Sequence, residues 1–368
     1  MAAWRSILLT PNVLGKDGVS ALSREMARAL PQPCLILSLH EASVPAERSP
    51  AGSDVRGARG SRAALLIAAA RAARQTGRGT VVACSHLHLA PIARMLTVMA
   101  GRGARPVIVL CGIEAWVPLR RLERWALRGS DVASISQHTT DRFRIANPDL
   151  RTLNVSVCHP GLPALGVTSA PPSAPSSMAL IVARMSSSER YKGHDALLDV
   201  WPRVLARHPA AVLVVTGDGD DRPRLEAKAR DLGIARAVTF TGRIGDDELA
   251  GLYARCRFFV MPSRDEGFGL VFLEAMRAAR PCIGGAGAAS EIIAHGVTGL
   301  VVDPGHPAEL VAALLRFYDE PETCTRLGAA GRERFLAEFT DRHFQARFAR
   351  VIAHDAPPTS KSLAASVL

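Results

Sequence analysis

Short apolar runs alternate with helix-period stretches along this chain, and the alternation stops once and then starts again. Ser6 to Thr10 reads as a strand, a loop holding Gly15 and Gly18 follows, and Val19 to Leu30 carries Leu22, Met26 and Leu30 at helical spacing. Strands at 35–39, 80–84, 107–110, 132–136 and 155–157 and helices at 63–74, 91–100 and 119–127 continue the series. Residues 166–177 have no apolar period and are rich in Pro and Ser, which marks a linker. Beyond them strands at 179–183, 211–216 and 238–241 alternate with helices at 195–206, 222–232 and 246–254. Such alternation is the signature of an α/β chain with two doubly wound, Rossmann-like domains facing a central cleft.

The boundaries follow: 1–165 for the first domain, 166–177 for the linker and 178–335 for the second domain. Residues 323–352 read as one long amphipathic helical segment, of which 336–355 is expected to cross back to the first domain. Residues 356–368 are expected to be a disordered tail, and 41–60, rich in Ser, Pro, Gly and Arg, a mobile loop. A length of 368 residues suffices for two cores. Seven scattered cysteines, odd in number and without a C-x-x-C pair, fit reduced buried thiols and no zinc or disulfide framework. Neither a cleaved signal nor a membrane-spanning helix is expected, since Arg94 interrupts the best apolar stretch; a soluble or peripheral protein is expected, and the reduced thiols point to the cytoplasm.

Charge is distributed unevenly. Residues 1–165 hold 21 Arg and Lys against 10 Asp and Glu, and residues 166–368 hold 24 against 24, so the whole net charge of +11 lies in the first half. That half is expected to meet something anionic, such as lipid headgroups or a diphosphate-linked acceptor. Its sharpest basic element, residues 118–128, puts Arg120, Arg121, Arg124 and Arg128 beside Leu122 and Trp125. Two readings stand: a membrane-interface helix, or a helix that packs Leu122 and Trp125 inward and leaves its arginines in water. Nucleic acid is not expected as a partner, because no recognised binding module accompanies the charge.

Residues 260–304 concentrate the chemistry. Glu266-Gly267-Phe268-Gly269-Leu270 lies between a strand end at 258–260 and the buried-helix spacing of 270–279. Glycines let the backbone approach a ligand, and the free N–H groups of a helix start can take an anion. Glu274, eight residues after Glu266, falls about two helical turns on. Two acids around a phosphate cradle suit a sugar nucleotide, one for sugar hydroxyls and one for a ribose diol. Arg184, at the first strand end of the second domain, and Lys192, before its first helix, can neutralise a diphosphate leaving group. Asp218-Gly219-Asp220 matches a metal-binding Asp-x-Asp in form, but it follows a strand at a glycine turn, where aspartates form turns; no metal is expected. Gly285-x-Gly287 half-matches a dinucleotide fingerprint with Ser290 in place of the third glycine, so hydride transfer is not expected.

In this combination the chain resembles the retaining nucleotide-sugar glycosyltransferases of glycosyltransferase family 4, which have the GT-B fold. The likeness rests on Glu266-x7-Glu274, Arg184 with Lys192, Gly217-Asp218-Gly219, Gly242, Gly284-Gly285-Ala-Gly287 leading to Ser290-Glu291, and Gly299 to Pro304. These elements agree in order over nearly all of the second domain, and the likeness is looser over the first. The resemblance implies that Glu266 contacts the transferred sugar, that Phe268, Gly269 and Leu270 hold the diphosphate, and that Glu274 binds the ribose. It implies that Arg184 and Lys192 stabilise charge on the departing nucleotide, and it adds Gly18, Gly217 and Gly242 to the donor-binding set. It implies retention of anomeric configuration without an essential metal or other cofactor, the nucleotide diphosphate sugar being a substrate. Cys111 stands where the family has a histidine beside the donor sugar, so His86, His88, Cys111 and Glu114 are candidate sugar or acceptor contacts.

The expected activity is transfer of a hexosyl group of mannose or glucose type to a hydroxyl of a glycan or polyprenyl-diphosphate-linked acceptor. Exopolysaccharide or lipopolysaccharide assembly at the inner face of the cell membrane would be its setting. A sugar-nucleotide epimerase or phosphorylase on the same fold, or a non-catalytic binder of nucleotide sugars, are the alternatives.

Overall fold

The computed structural model describes residues 3–42, 49, 53–101, 103–164 and 177–353. The chain divides into two compact units, unit 1 of Met1–Pro160 with Asp341–Leu368, and unit 2 of Gly161–Thr340. In unit 1 the order is β1 (Trp4–Thr10), α1 (Gly18–Ala29), β2 (Cys34–Ser38), β3 (Ser53–Gly57), α2 (Arg62–Ala73), β4 (Thr76–Cys84), α3 (Ala90–Ala100), β5 (Arg105–Leu110), α4 (Arg121–Arg128), β6 (Asp131–Ser134), α5 (Gln137–Ala146) and β7 (Val155–Val157). Unit 2 runs β8 (Met178–Val182), α6 (His194–Arg207), β9 (Val212–Thr216), α7 (Arg222–Asp231), β10 (Val238–Gly242), α8 (Asp246–Arg255), β11 (Phe258–Met261), α9 (Leu270–Arg277), β12 (Cys282–Gly285), α10 (Ala289–Ile292), β13 (Gly299–Val302), α11 (Pro307–Asp319) and α12 (Pro321–Glu338). The last helix, α13 (Asp341–Ala353), belongs to unit 1.

Both sheets are wholly parallel among the described residues, ordered β3-β2-β1-β4-β5-β6-β7 and β10-β9-β8-β11-β12-β13. Parallel strands covered on both faces read as continuous apolar runs, and β2, Cys34-Leu-Ile-Leu-Ser38, is buried at every position. Alternate side chains serve opposite faces. Ile7, Leu9, Leu35, Leu37, Ile108 and Leu110 share a core with Leu65 of α2, Leu96 of α3 and Leu127 of α4. Elsewhere in unit 1, α1 packs on α13, with Leu22, Met26, Phe344 and Phe348 buried. Helix starts are capped as their sequences direct: Asp17, Ser61 and Ser136 accept from backbone amides at the starts of α1, α2 and α5.

Three expectations change. The helical stretch 323–352 is two helices, because Phe339 is buried, its carbonyl accepts from Leu162 N at 3.0 Å, and Thr340 bridges to Leu162. The chain passes from unit 1 to unit 2 at Gly161, not at 165. Within 41–60, β3 pairs with β2 as an edge strand, so this part of the expected loop is sheet. Residues 166–176 of the linker and the tail 356–368 lie outside the described residues. All seven cysteines are free, and no described helix is long and apolar enough to cross a membrane.

Candidate active site

Unit 2 brings its chemistry to the C-terminal ends of β8, β9 and β11, where open α/β sheets bind ligands. The loop after β11 and the turn before α6 are tied by a backbone bond, Arg264 N donating to the Tyr191 carbonyl at 2.9 Å. That tie sets Lys192 beside Glu266 across 74 positions of sequence: Lys192 Nζ donates to Glu266 Oε2 at 2.6 Å, each side chain 16% exposed. Burial works against the ammonium, but the charge and hydrogen bond of Glu266, with Tyr191 and Glu189 nearby, together outweigh it and hold the Lys192 pKa above the ordinary lysine value. Lys192 therefore stays charged at neutral pH. A lysine raised in the folded state contributes stability in full below its unfolded pKa and loses it only as pH climbs through the folded value.

Arg184 lies apart from this pair, with Nη1 3.5 Å from Glu189 Oε1 and a side chain 59% exposed. It is a solvent-exposed cation, while Lys192 is a largely buried and paired one. The turn between them and α9 is anchored from below: Phe268 is buried with its ring 6.2 Å from that of Phe339. Its side chain thus serves packing, and only the backbone of this turn is placed to meet a ligand. Gly269 caps α9 at φ +98°, and a Cβ there would come within 2.6 Å of the Phe272 ring. The amides of Leu270 and Val271 open the helix without intrahelical acceptors, as the first turn of any helix does, and Leu270 is one of the three residues, with Phe268 and Gly269, expected to hold the diphosphate.

Glu274 is half-buried on α9, and Tyr253 of α8 donates its hydroxyl to Oε2 at 2.7 Å. Burial raises the Glu274 pKa, and the Tyr253 bond opposes that rise. Nothing in the local pattern around Tyr253 announces this role, because the contact spans 21 positions; only its place on the buried side of α8 hints at it. Gly217 and Gly219 have a packing cause. Ala183 N donates to Thr216 O at 3.0 Å and Met185 N to Asp218 O at 3.1 Å, so the loops after β8 and β9 run backbone against backbone. Asp218 accepts from Gly219 N at 3.0 Å and Asp220 from Ser187 N at 3.1 Å, the bonding of turn formers. Gly242 ends β10 beside the Arg222 guanidinium.

In unit 1, His86, His88, Cys111 and Glu114 gather at the ends of β4 and β5. The Cys111 thiol donates to the Ser85 carbonyl at 2.9 Å, and burial, then the Glu114 charge, pushes its pKa well up. It is a protonated thiol, a weak donor and weak acceptor that cannot match the hydrogen bonds or charge of an imidazole. Glu114 is raised by burial and accepts from Cys111 N at 2.6 Å. His86 is pushed down to about 4 by burial and by His88, and its Nδ1 accepts from His88 N at 3.3 Å. His88 is half exposed, with Nδ1 2.9 Å from Glu123 Oε1. Gly18 opens α1, where Asp17 already serves the helix amides by accepting from Ser20 N at 3.0 Å.

Fold and site define a class: the two units have the GT-B glycosyltransferase architecture. Within it, residues 176–320 match the model of the family described as glycosyl transferases group 1. The chain is 38% identical over 156 residues to a GDP-mannose-dependent α-(1-6)-phosphatidylinositol monomannoside mannosyltransferase of Mycobacterium tuberculosis, covering 40% of each chain. It is 29% identical over 295 residues to a GDP-mannose-dependent monoacylated α-(1-6)-phosphatidylinositol monomannoside mannosyltransferase of Corynebacterium glutamicum, covering 76% of this chain and 71% of the relative. The match to the mycobacterial relative thus spans well under half of that protein. Among solved structures, Anabaena HepE with UDP and glucose superposes with a TM-score of 0.78 at 18% identity, covering 95% of this chain and 99% of the other.

Proposed function

We propose that this protein is a retaining glycosyltransferase of family 4 type that moves a hexosyl group from a nucleoside diphosphate sugar to a hydroxyl acceptor. The observation that carries the reading is the Lys192–Glu266 pair at the mouth of the β11–α9 turn. In the donor complex Lys192 and Arg184 balance the diphosphate together with the α9 amides, and their positive charge stabilises the nucleotide as it leaves. No metal is invoked, since these groups supply the counter-charge. Glu266 takes the hydroxyls of the transferred sugar, and Glu274 takes the ribose diol with the oxygen that Tyr253 leaves open. GDP-mannose is the leading donor, because the two relatives described above are named as dependent on it. Those relatives act on phosphatidylinositol mannosides, which supports a lipid-linked glycan as acceptor, and unit 1 takes that role.

A thermal-shift panel of UDP, GDP, ADP and their sugars tests the reading. A ligand at a hundred times its Kd stabilises the folded state by about 2.7 kcal/mol, so the true donor stands out. A panel without any responding nucleotide would remove the basis of the proposal. Incubation with donor alone separates an epimerase or phosphorylase, which would convert it without an acceptor.

Glu274 makes donor affinity pH-dependent. Ionised, it accepts from a diol far more strongly than as the neutral acid, and its raised pKa means it protonates at a higher pH than a free glutamate. Affinity then falls as pH drops through that raised value. Tyr253→Phe removes the bond that favours the carboxylate and shifts the acid limb to higher pH. Calorimetric titration of GDP across pH 4 to about 8 reads the shift directly; an acid limb unmoved by Tyr253→Phe would detach Glu274 from donor binding.

A further inference from the structure

Helices α2, α3 and α4 cover one side of the unit 1 sheet, α3 packing on both neighbours, and their outward side is apolar to a degree that a solvated surface does not need. Ile67 is 54% exposed, Met95 37%, Val98 61%, Met99 50%, Leu122 64% and Trp125 44%. The sequence left open whether Leu122 and Trp125 pack inward; they do not. Arg94 of α3 lies 5.9 Å from the centre of the Trp125 ring, joining the two helices across the patch.

The charge around these side chains has one sign. From residue 59 to 130 the sequence has twelve arginines and two acids, Glu114 and Glu123. Arginines lie on each of the three helices, and their one acid, Glu123, is buried against His88. Arg124 and Arg128 share Asp149, which offsets part of the charge at that edge. Like charge opposes a second copy of this chain on the same face. A nucleic acid would pair the arginines with phosphates and leave six large apolar side chains in water. A lipid interface takes both, headgroups on the arginines and the acyl boundary on the apolar residues.

We infer that the α2–α3–α4 face docks on an anionic lipid surface. The inference is independent of the transfer reaction, since partitioning onto vesicles is measured without donor or acceptor and succeeds or fails apart from it. In flotation the full chain rises with phosphatidylcholine vesicles containing phosphatidylglycerol, not with phosphatidylcholine alone, and the association weakens with added salt. Leu122→Ser with Trp125→Ser lowers partitioning about ten-fold or more, and Arg121→Glu lowers it about five-fold at low salt. Arg326→Glu, an exposed arginine on α12 of unit 2, leaves it unchanged. The Trp emission moves to the blue on adding anionic vesicles, and Trp125→Phe removes most of that change while circular dichroism confirms the fold. The inference is overturned by no flotation at low salt, by an equal loss from Arg326→Glu, or by retained partitioning in the Leu122/Trp125 variant. It is equally overturned by concentration-dependent dimerisation that the same variant abolishes, or by a Trp125 emission shift with duplex DNA and none with vesicles.

Discussion

Lys192→Ala is expected to lower kcat for hexosyl transfer by about 10²–10³-fold, the loss that follows removal of one preorganised group facing transition-state charge. The reason lies in how little Lys192 would have to move. Its ammonium is already fixed at 2.6 Å from Glu266 in a site 16% exposed, so no reorganisation is required when the nucleotide departs. Arg184, 59% exposed with a 3.5 Å contact to Glu189, would pay ordering entropy to do the same work. Arg184→Ala should therefore act more on the donor KM and less on kcat than Lys192→Ala does. Lys192→Arg keeps the charge but not the compact point donor, and should restore only part of the rate. Steady-state kinetics on the three variants, with thermal melting to verify folding, measures the split. A Lys192→Ala enzyme that turned over within a factor of about three of the parent would sink the assignment, because such a residue contributes under 1 kcal/mol to the barrier.

How the chain encodes this is visible in particular residues. Lys192 and Glu266 stood out as types and places before any geometry, because a cation before the first helix and an acid before a glycine turn sit at strand ends in the same sheet. Their contact, and the Tyr191–Arg264 bond that produces it, is tertiary and has no local signature. The alternation of apolar runs marked the buried parallel strands well, since a strand such as β2 is apolar throughout. It missed β3, Ser-Asp-Val-Arg-Gly, whose side chains are only partly covered because the strand lies at an edge. It also missed the break at Phe339 and Thr340, where tertiary contacts with Leu162 override an unbroken helical pattern. Asp149 shows the same limit on the charge reading, as it binds two of the arginines on α4 from more than twenty positions away.

Gly217→Ala is expected to be the most damaging single methyl in unit 2, costing about 3 kcal/mol or more of stability. Gly217 has φ +132°, a conformation side chains rarely adopt, and an added Cβ would overlap the carbonyl oxygen of Ala183. Neither can give way cheaply. The obstructing atom is backbone, and it belongs to the residue next to Arg184 in a loop already bonded through Ala183 N to Thr216 O. Gly233→Ala is the matched control: it also has positive φ, +70°, but nothing lies within 4 Å of the new Cβ. It should cost only the left-handed backbone strain, about 1–2 kcal/mol. Urea unfolding of the two variants therefore separates close approach from backbone conformation. Equal losses would mean that the β8 and β9 loops can part at little cost. In that case Gly217 would owe its place to something other than packing, a direct contact with the donor being the reading left, and donor affinity in Gly217→Ala would decide it.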